Sequence, residues 1–221
     1  LVALGAIDDH HHVTAVGRAM ADLPVHPRLA HMLVRATEQG RGVVACALAA
    51  LLEERDVLRG RPDELPASVV ERVGLIVDPG STHPDADRRT VQLVRRRAGE
   101  LRRRLRIEGS AVGDDVAGCG RVLALAYPDR LAQARGAGRF RLRSGAAAAL
   151  PSGDQLANER FLVVTDLDAP RAAGGRRRGD GAPGDDDLRI TMAAALDEAD
   201  LDDVAAGAIE DGTTGGGGPS R

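Results

Sequence analysis

The stretch that decides the fold is LGAIDDHHHVTAVGRAMADLPVHPRLA, residues 4–30 of the chain. Residues 1–7 are predicted to close an apolar helix, residues 8–12 to turn, and residues 13–16 to form a short strand. Pro27 suits the first position of a helix, because its missing N–H would be unpaired there in any residue. The residue before a proline avoids the helical region, so the chain just before Pro27 is expected to be extended. The stretch therefore predicts a boundary near residue 22 and a new helical region beginning at residue 23.

Apolar residues recur every three or four positions through the next hundred residues, which predicts packed helices. The predicted helices cover residues 27–40, 43–55, 68–77, 85–107 and 114–126. The longest has a single apolar stripe made of Val91, Val94, Ala98, Leu101 and Leu105. Aromatic residues are only 1% of the chain, so its core must be Leu, Val and Ala, which favours helices over a β-sandwich.

The pattern changes after Arg135, where residues 139–143 alternate as a strand does. Further strands are predicted at residues 145–150, 161–166 and 188–193. Residues 169–187 are rich in Gly, Arg and Asp and are predicted to be a disordered loop, and residues 207–221 a disordered tail. The prediction is a mainly α chain with a small and incomplete β-rich region of OB type at residues 136–206.

The composition limits where the chain can act. Apolar residues make up 43% of it and the net charge is −3, so overall charge does not indicate a polyanion-binding protein. Cys46 and Cys119 lie in apolar helical patterns and are predicted to be buried free thiols in a reducing cytoplasm. No apolar run approaches the roughly 20 residues that a membrane span needs, so no membrane partner is predicted.

Two motifs suggest chemistry but have simpler explanations. Residues 197–200 read DEAD, as in a helicase motor, but no GxxxxGK[ST] loop precedes them and the chain contains no Lys to contact phosphates. His10, His11 and His12 are consecutive, so their side chains point in different directions and seldom converge on one metal ion. No GxSxG elbow or catalytic triad is present either. We therefore predict no catalytic residue and no metal ligand in this chain.

Arginine supplies the best indication of binding. Nine Arg lie between Arg88 and Arg106, with Glu100 as the one acid among them. Such a helix face can neutralise phosphates without reading sequence, although a merely solvated face is the competing explanation. Arg141 alternates with Arg139 and Arg143 on a predicted strand, where the same two explanations apply. The candidate nucleic-acid-binding residues are Arg28, Arg95, Arg96, Arg97, Arg130, Arg139 and Arg141.

Several segments carry a resemblance to a known family through their order along the chain. The early ones are residues 4–6, Thr14 with Gly17 and Arg18, and the helix entry at residues 27–30. The later ones are AALLEERD at 49–56, LALAYPDR at 123–130, RFRL at 139–142 with Gly145, and LVVTDLD at 162–168. Together they resemble the region beyond the motor of DEAH/RHA ATP-dependent helicases, and most closely the bacterial HrpB-type branch.

The resemblance implies both an architecture and a role. Residues 1–22 would be the end of a winged helix, residues 23–135 a helical ratchet (helicase-associated) domain, and residues 136–206 the partial OB-like region. The parent protein would couple ATP hydrolysis, with Mg²⁺, to movement along single-stranded RNA, with DNA as the other candidate. Its RecA-like motor domains would be the partners of this region, which would have no cofactor and no catalysis of its own.

Two functions remain open at this point. In the first, the chain is the accessory region of such a helicase and connects nucleic-acid contact to the motor. In the second, it is a free-standing module that binds nucleic acid or protein without a motor. Arg28 begins a helix at the domain junction and is expected either to face the strand or to brace a neighbouring domain. A third reading, a metal hydrolase built from the His and Asp residues, is disfavoured by the spacing of those residues.

Overall fold

A computed structural model of the chain describes residues 1–61, 64–109, 116–169 and 187–201. The N-terminal part begins with a short 3-10 helix, Val2–Leu4, and continues into helix α1, Ala15–Ala21. Thr14 caps α1, because its Oγ1 accepts a hydrogen bond from the N–H of Gly17 at 3.0 Å and donates one to the carbonyl of Gly5 at 2.6 Å. The strand predicted at residues 13–16 is therefore wrong, since only an isolated bridge between Ile7 and Val13 forms there.

Helices make up the middle of the chain. They are α2 (Pro27–Glu38), α3 (Gly42–Leu52), α4 (Val69–Val77), α5 (Arg88–Leu105) and α6 (Cys119–Ala124). Helix α3 is buried along nearly its whole length and packs against α2, α4, α5 and α6. The first four of these helices confirm the predicted ones to within a few residues. The predicted start of the last, at residue 114, lies outside the described residues.

Five strands form a closed barrel. They are β1 (Leu131–Gly136), β2 (Arg139–Leu142), β3 (Ala147–Ala149), β4 (Phe161–Asp168) and β5 (Leu188–Ala195). Their order around the barrel is β1-β2-β3-β5-β4, with β3 and β5 parallel and the other described pairs antiparallel. The barrel core includes Phe140, Leu142, Leu162, Val164 and Ile190. Five strands in a barrel are the architecture of OB-folds.

The barrel corrects the predicted fold class. Of the described residues, 45% are helical and 19% are in strands, so the chain is not a mainly α bundle with an incomplete β segment. The missed strand is β1, which pairs with both β2 and β4 and so closes the barrel. Its sequence, LAQARG, contains no β-branched or aromatic residue, so its conformation comes from pairing on both edges rather than from local propensity.

The helices and the barrel share one core. Val163, Met192 and Ala194 of the barrel pack into the same apolar cluster as the buried residues of α2, α3 and α6. Gly120 of α6 lies so close to β5 that a Cβ on it would be 1.8 Å from the carbonyl oxygen of Ala195. The absence of a side chain at residue 120 therefore lets the helical part contact the barrel directly.

Some sequence predictions are not tested by this architecture. The domain boundaries at residues 22, 135 and 206 stay predictions. The disordered loop and the tail lie almost entirely outside the described residues, at 170–186 and 202–221. Within the described ranges, no helix is both long and apolar enough to cross a membrane.

Candidate nucleic-acid interface

Two of the predicted arginines meet where the helices join the barrel. Arg28, in the first turn of α2, donates to both carboxylate oxygens of Asp129, at 2.6 and 3.3 Å. Arg130 donates to the carbonyl of Thr165 on β4 at 2.6 Å. The ring of Tyr127 lies near both guanidinium groups. Its centroid is 5.8 Å from Cζ of Arg28 and 5.2 Å from Cζ of Arg130. We call Arg28, Tyr127, Asp129 and Arg130 the junction cluster, and it braces α2 and the α6–β1 connection against β4.

The ionisation of the junction cluster reflects this bracing. Burial raises the pKa of the Tyr127 phenol, and the two arginines beside it only partly oppose the effect. Partial burial is the largest single influence and works against ionisation of Asp129, but the hydrogen bond from Arg28, a backbone hydrogen bond and the charges of Arg28 and Arg130 together outweigh it, so the pKa of this carboxyl lies below its usual value. The hydrogen bond to Asp129 in turn raises the pKa of Arg28. Asp129 therefore neutralises Arg28, whereas Arg130 is held by a neutral carbonyl oxygen.

Three more predicted arginines have partners within the chain. Arg95 donates from Nε and Nη2 to the carbonyl of Leu75, at 3.0 and 2.7 Å, and from Nη2 to that of Asp78 at 3.0 Å, at the end of α4. Arg97 forms a 2.5 Å ion pair with Glu54. Arg139 forms a 3.1 Å ion pair with Asp187. These side chains stabilise neighbouring segments and have fewer donors left for a ligand.

Arg96 belongs to a row of exposed arginines on α5. Arg89, Arg96 and Arg103 are exposed and follow one another at intervals of seven residues, about two helical turns or ~10.5 Å. None of the three side chains has a hydrogen bond or ion pair to another residue of the described part of the chain. We call them the α5 row. The opposite side of α5 is buried, which fixes the direction of the row.

Arg141 lies among exposed arginines on the barrel. Arg135 is on β1. Arg141 is on β2, where it pairs with Gln133 of β1, and Arg143 comes just after β2. Arg135, Arg141 and Arg143 are exposed, and their side chains have no partner among the described residues. We call them the barrel arginines.

No aromatic ring lies beside the α5 row or the barrel arginines, because Tyr127 lies in the junction cluster, Phe140 is buried and Phe161 lies beneath Arg160. Both surfaces can therefore contact phosphates but offer no ring for stacking on bases.

Sequence reasoning did not select four of these six exposed arginines. Arg89 and Arg103 share a helix face with Arg96, and the seven-residue interval could have identified them from the sequence. Arg135 and Arg143 carry the weaker signal of alternation along short strands. For Arg96 and Arg141, nucleic-acid binding stays a prediction.

The DEAD sequence and the histidine run take part in ion pairs and hydrogen bonds within the chain. In the DEAD sequence, Glu198 contacts Arg160 and Asp200 pairs with Arg121 at 3.2 Å. Near the histidine run, the Asp8 carboxylate accepts hydrogen bonds from the backbone N–H groups of His10 and His12. In the part of the chain that the structure describes, no three His, Cys, Asp or Glu residues are grouped to hold a metal ion.

Comparison with known proteins shows that the chain is similar to part of HrpB-type helicases. The winged-helix model of the helicase associated domain (HA2) matches residues 1–25. The chain is 30% identical to the ATP-dependent RNA helicase HrpB of Escherichia coli over 202 residues, which is 91% of this chain and 21% of that protein. Two solved structures are also similar to it. One, of the E. coli DExH-box NTPase HrpB, has a TM-score of 0.63 at 26% identity over 93% of this chain.

The second solved structure, of the E. coli DEAH/RHA helicase HrpB, has a TM-score of 0.62 at 25% identity over 89% of this chain. In both cases the match covers 21% of the solved chain. The chain thus spans about a fifth of the length of the relatives it matches.

Proposed function

The chain belongs to the HrpB-type branch of the DEAH/RHA helicases, as a helicase accessory region, and on that premise we propose that it contacts single-stranded nucleic acid through the α5 row. The contact would transmit the position of the strand to RecA-like motor domains of the same parent protein. ATP and Mg²⁺ would act at that motor, and the parent would be a cytoplasmic ATP-dependent RNA helicase.

The observation that carries the proposal is the set of three guanidinium groups on one helix face that have no partner among the described residues. A guanidinium group without a protein partner keeps its full charge and all its donors for a phosphate. The face is rigid, because Val91, Val94 and Leu101 on the other side of α5 are buried against the rest of the helical part. A regular row of single charges suits a strand, whose phosphates each carry one charge at regular intervals.

The lack of exposed rings near the row predicts how the strand is recognised. Without stacking or base-edge contacts, affinity comes from neutralised phosphates and depends little on sequence. Sequence-independent grip is what a helicase needs from a region that follows a moving strand. RNA is the favoured strand because the named relative is an RNA helicase.

The test is the salt dependence of binding. Each phosphate neutralised on a single strand contributes about −0.7 to the slope of log K against log salt, so replacing the row should reduce the slope by about 2. The variant is Arg89→Gln/Arg96→Gln/Arg103→Gln, measured with single-stranded RNA over a range of salt concentrations.

The matched control removes three positive charges from other exposed positions of the chain. Arg18, Arg61 and Arg160 are exposed and contact Val13, Glu64 and Glu198, respectively. Their triple replacement by Gln should leave the slope close to that of the unmodified chain. Equal losses in the two triple variants would mean that net charge alone matters, and an unchanged slope in the row variant would refute the proposal.

A further inference from the structure

A further concentration of positive charge lies where the loop after α3 meets the start of α5. Arg55 and Arg59 both approach the same oxygen of Asp87, with Nη2–Oδ2 distances of 3.1 and 2.5 Å. Thr90 donates its hydroxyl to that oxygen at 2.6 Å and accepts a hydrogen bond from Nε of Arg55 at 3.1 Å. Two guanidinium groups therefore converge on one carboxylate, and we call Arg55 and Arg59 the clamp.

The backbone holds the clamp in place. An antiparallel bridge joins Leu58 to Ala86, and the N–H of Asp87 donates to the carbonyl of Val57 at 2.8 Å. Asp87 also caps α5 by accepting from the N–H of Arg89, and its side chain is only 8% exposed. The hydrogen bond from Thr90, followed by the contacts with Arg59 and with the Arg89 N–H, lowers the pKa of the Asp87 carboxyl to about 2, so it stays ionised at neutral pH.

The clamp retains excess positive charge. One carboxylate can neutralise one of the two guanidinium groups, and both oxygens of Asp87 are already occupied. The arginine side chains are 67% and 62% exposed, so part of each planar group faces water. Arg88 and Arg89, on the first turn of α5, are exposed as well and have no side-chain partner among the described residues.

The acids beside the clamp do not cancel this charge. Asp56 is bound to the buried guanidinium of Arg72 through both of its oxygens, at 2.9 and 2.6 Å. The carboxylate of Asp85 lies 3.8 Å from the ring of His83. Among the described residues, Asp87 is the one acid in contact with Arg55 or Arg59.

We propose that the clamp binds a phosphate dianion, either the terminal monoester of a nucleic-acid strand or a free phosphate. The two guanidinium groups lie side by side against one carboxylate, with part of each facing water, whereas the arginines of the α5 row are spaced along a line. An adjacent pair of planar donors matches a dianion with three terminal oxygens, whereas a line of single charges matches successive phosphodiesters. The buried carboxylate pre-orients both donors, so little side-chain entropy is lost on binding. The site itself is independent of the proposed function, and only the terminal-phosphate source rests on it.

The experiment compares three forms of one short single-stranded RNA, carrying a 5′-phosphate, a 3′-phosphate or no terminal phosphate. The full chain should prefer one phosphorylated end over the unphosphorylated strand by about tenfold. Arg55→Gln/Arg59→Gln should abolish that preference and leave binding of the unphosphorylated strand nearly unchanged. Arg61→Gln/Arg160→Gln, which removes two charges of similar exposure, should preserve it.

Inorganic phosphate distinguishes the second source. If it raises the thermal unfolding midpoint of the unmodified chain but not of Arg55→Gln/Arg59→Gln, and no phosphorylated end is preferred, the ligand is a free phosphate. No preference for either end together with no effect of inorganic phosphate would overturn the site.

A further variant guards against misfolding. Arg55→Lys/Arg59→Lys keeps both charges beside Asp87 but lacks the planar forks, so it should fold and lose most of the discrimination. Discrimination retained in full by both clamp variants would also overturn the site. Failure of the proposed function has a different signature, because it would appear as unchanged binding of the unphosphorylated strand by the α5-row variant.

Discussion

The junction cluster and the α5 row use the same residue type in opposite ways. In the junction cluster, Arg28 and Arg130 are held by a carboxylate and by a carbonyl of the same chain. In the α5 row, the described residues offer no partner to the guanidinium groups. The difference follows from the neighbours of each guanidinium, because Asp129 and the carbonyl of Thr165 lie beside the junction arginines, whereas the outer face of α5 leaves its arginines to be satisfied by water.

The comparison shows that arginine counts do not by themselves locate a binding surface. A paired arginine contributes to stability, and its removal leaves unsatisfied partners behind. An unpaired arginine on a rigid face contributes little to stability and has its donors available to a ligand. Outside the clamp, where two arginines share one carboxylate, the two classes should therefore separate when stability and nucleic-acid affinity are measured on the same variants.

The largest effect is expected for Arg72, the extreme case of a paired arginine. Its side chain is 1% exposed, binds Asp56 through two hydrogen bonds, and donates to the carbonyls of Pro66 and Ser68. Breaking such a buried pair should lower the free energy of unfolding by about 3–5 kcal/mol. Urea unfolding of Arg72→Ala measures this loss, and a loss below that of an exposed arginine variant would remove Arg72 from the paired class.

The next effect compares glycines rather than arginines. Gly120→Ala places a methyl group against the backbone of β5 and should destabilise the chain by about 1–3 kcal/mol or more, because backbone must move. Gly99 lies on α5 between Arg96 and Arg103, and a Cβ there would meet nothing closer than a guanidinium nitrogen of Arg103 at 3.6 Å.

Gly99→Ala is the matched control for Gly120→Ala. It should stabilise α5 by up to about 1 kcal/mol through helix propensity. Thermal unfolding of the two variants should therefore shift in opposite directions. Equal shifts would show that the contact between α6 and β5 is no tighter than the surface of α5.

A smaller loss is expected for Arg28→Ala in the junction cluster. The ion pair with Asp129 is partly exposed, with side-chain exposures of 38% and 57%, so removing it should cost only about 1 kcal/mol. Because Arg28 is engaged with Asp129, the salt slope of RNA binding should stay the same. A slope reduced as much as by loss of an α5-row arginine would assign Arg28 to the strand instead.

Local sequence patterns were sufficient for helices α2 to α5. The apolar stripe of α5 and the cap at Ser68, whose Oγ accepts from the N–H of Glu71, are set by residues a few positions apart. Strand β1 was missed because its conformation depends on β2 and β4, and β4 lies about 30 residues away in the sequence. Closure of the barrel is thus a property of tertiary pairing that alternation alone does not reveal.

The candidate site shows the same contrast between features set by local sequence and features set by tertiary contacts. The sequence shows where arginines are, but their partners are distant along the chain: Asp129 is 101 residues from Arg28, and Leu75 is 20 residues from Arg95. Pairing therefore could not be anticipated for five of the seven candidates. Helical periodicity, by contrast, would have grouped Arg89 and Arg103 with Arg96 without any structure.

The smallest and sharpest prediction concerns two adjacent residues, Arg95 and Arg96. Arg95 bonds the carbonyls at the end of α4, so Arg95→Gln should lower the free energy of unfolding by about 1 kcal/mol and leave the salt slope of RNA binding unchanged. Arg96→Gln should change stability by less than about 0.5 kcal/mol and reduce the slope by about 0.7, the share of one phosphate. Each variant removes one charge from the same turn of α5, so net charge cannot explain a difference between them. If both variants reduced the slope alike, the distinction between paired and unpaired arginines would fail, and the whole helix face would act as a diffuse positive surface.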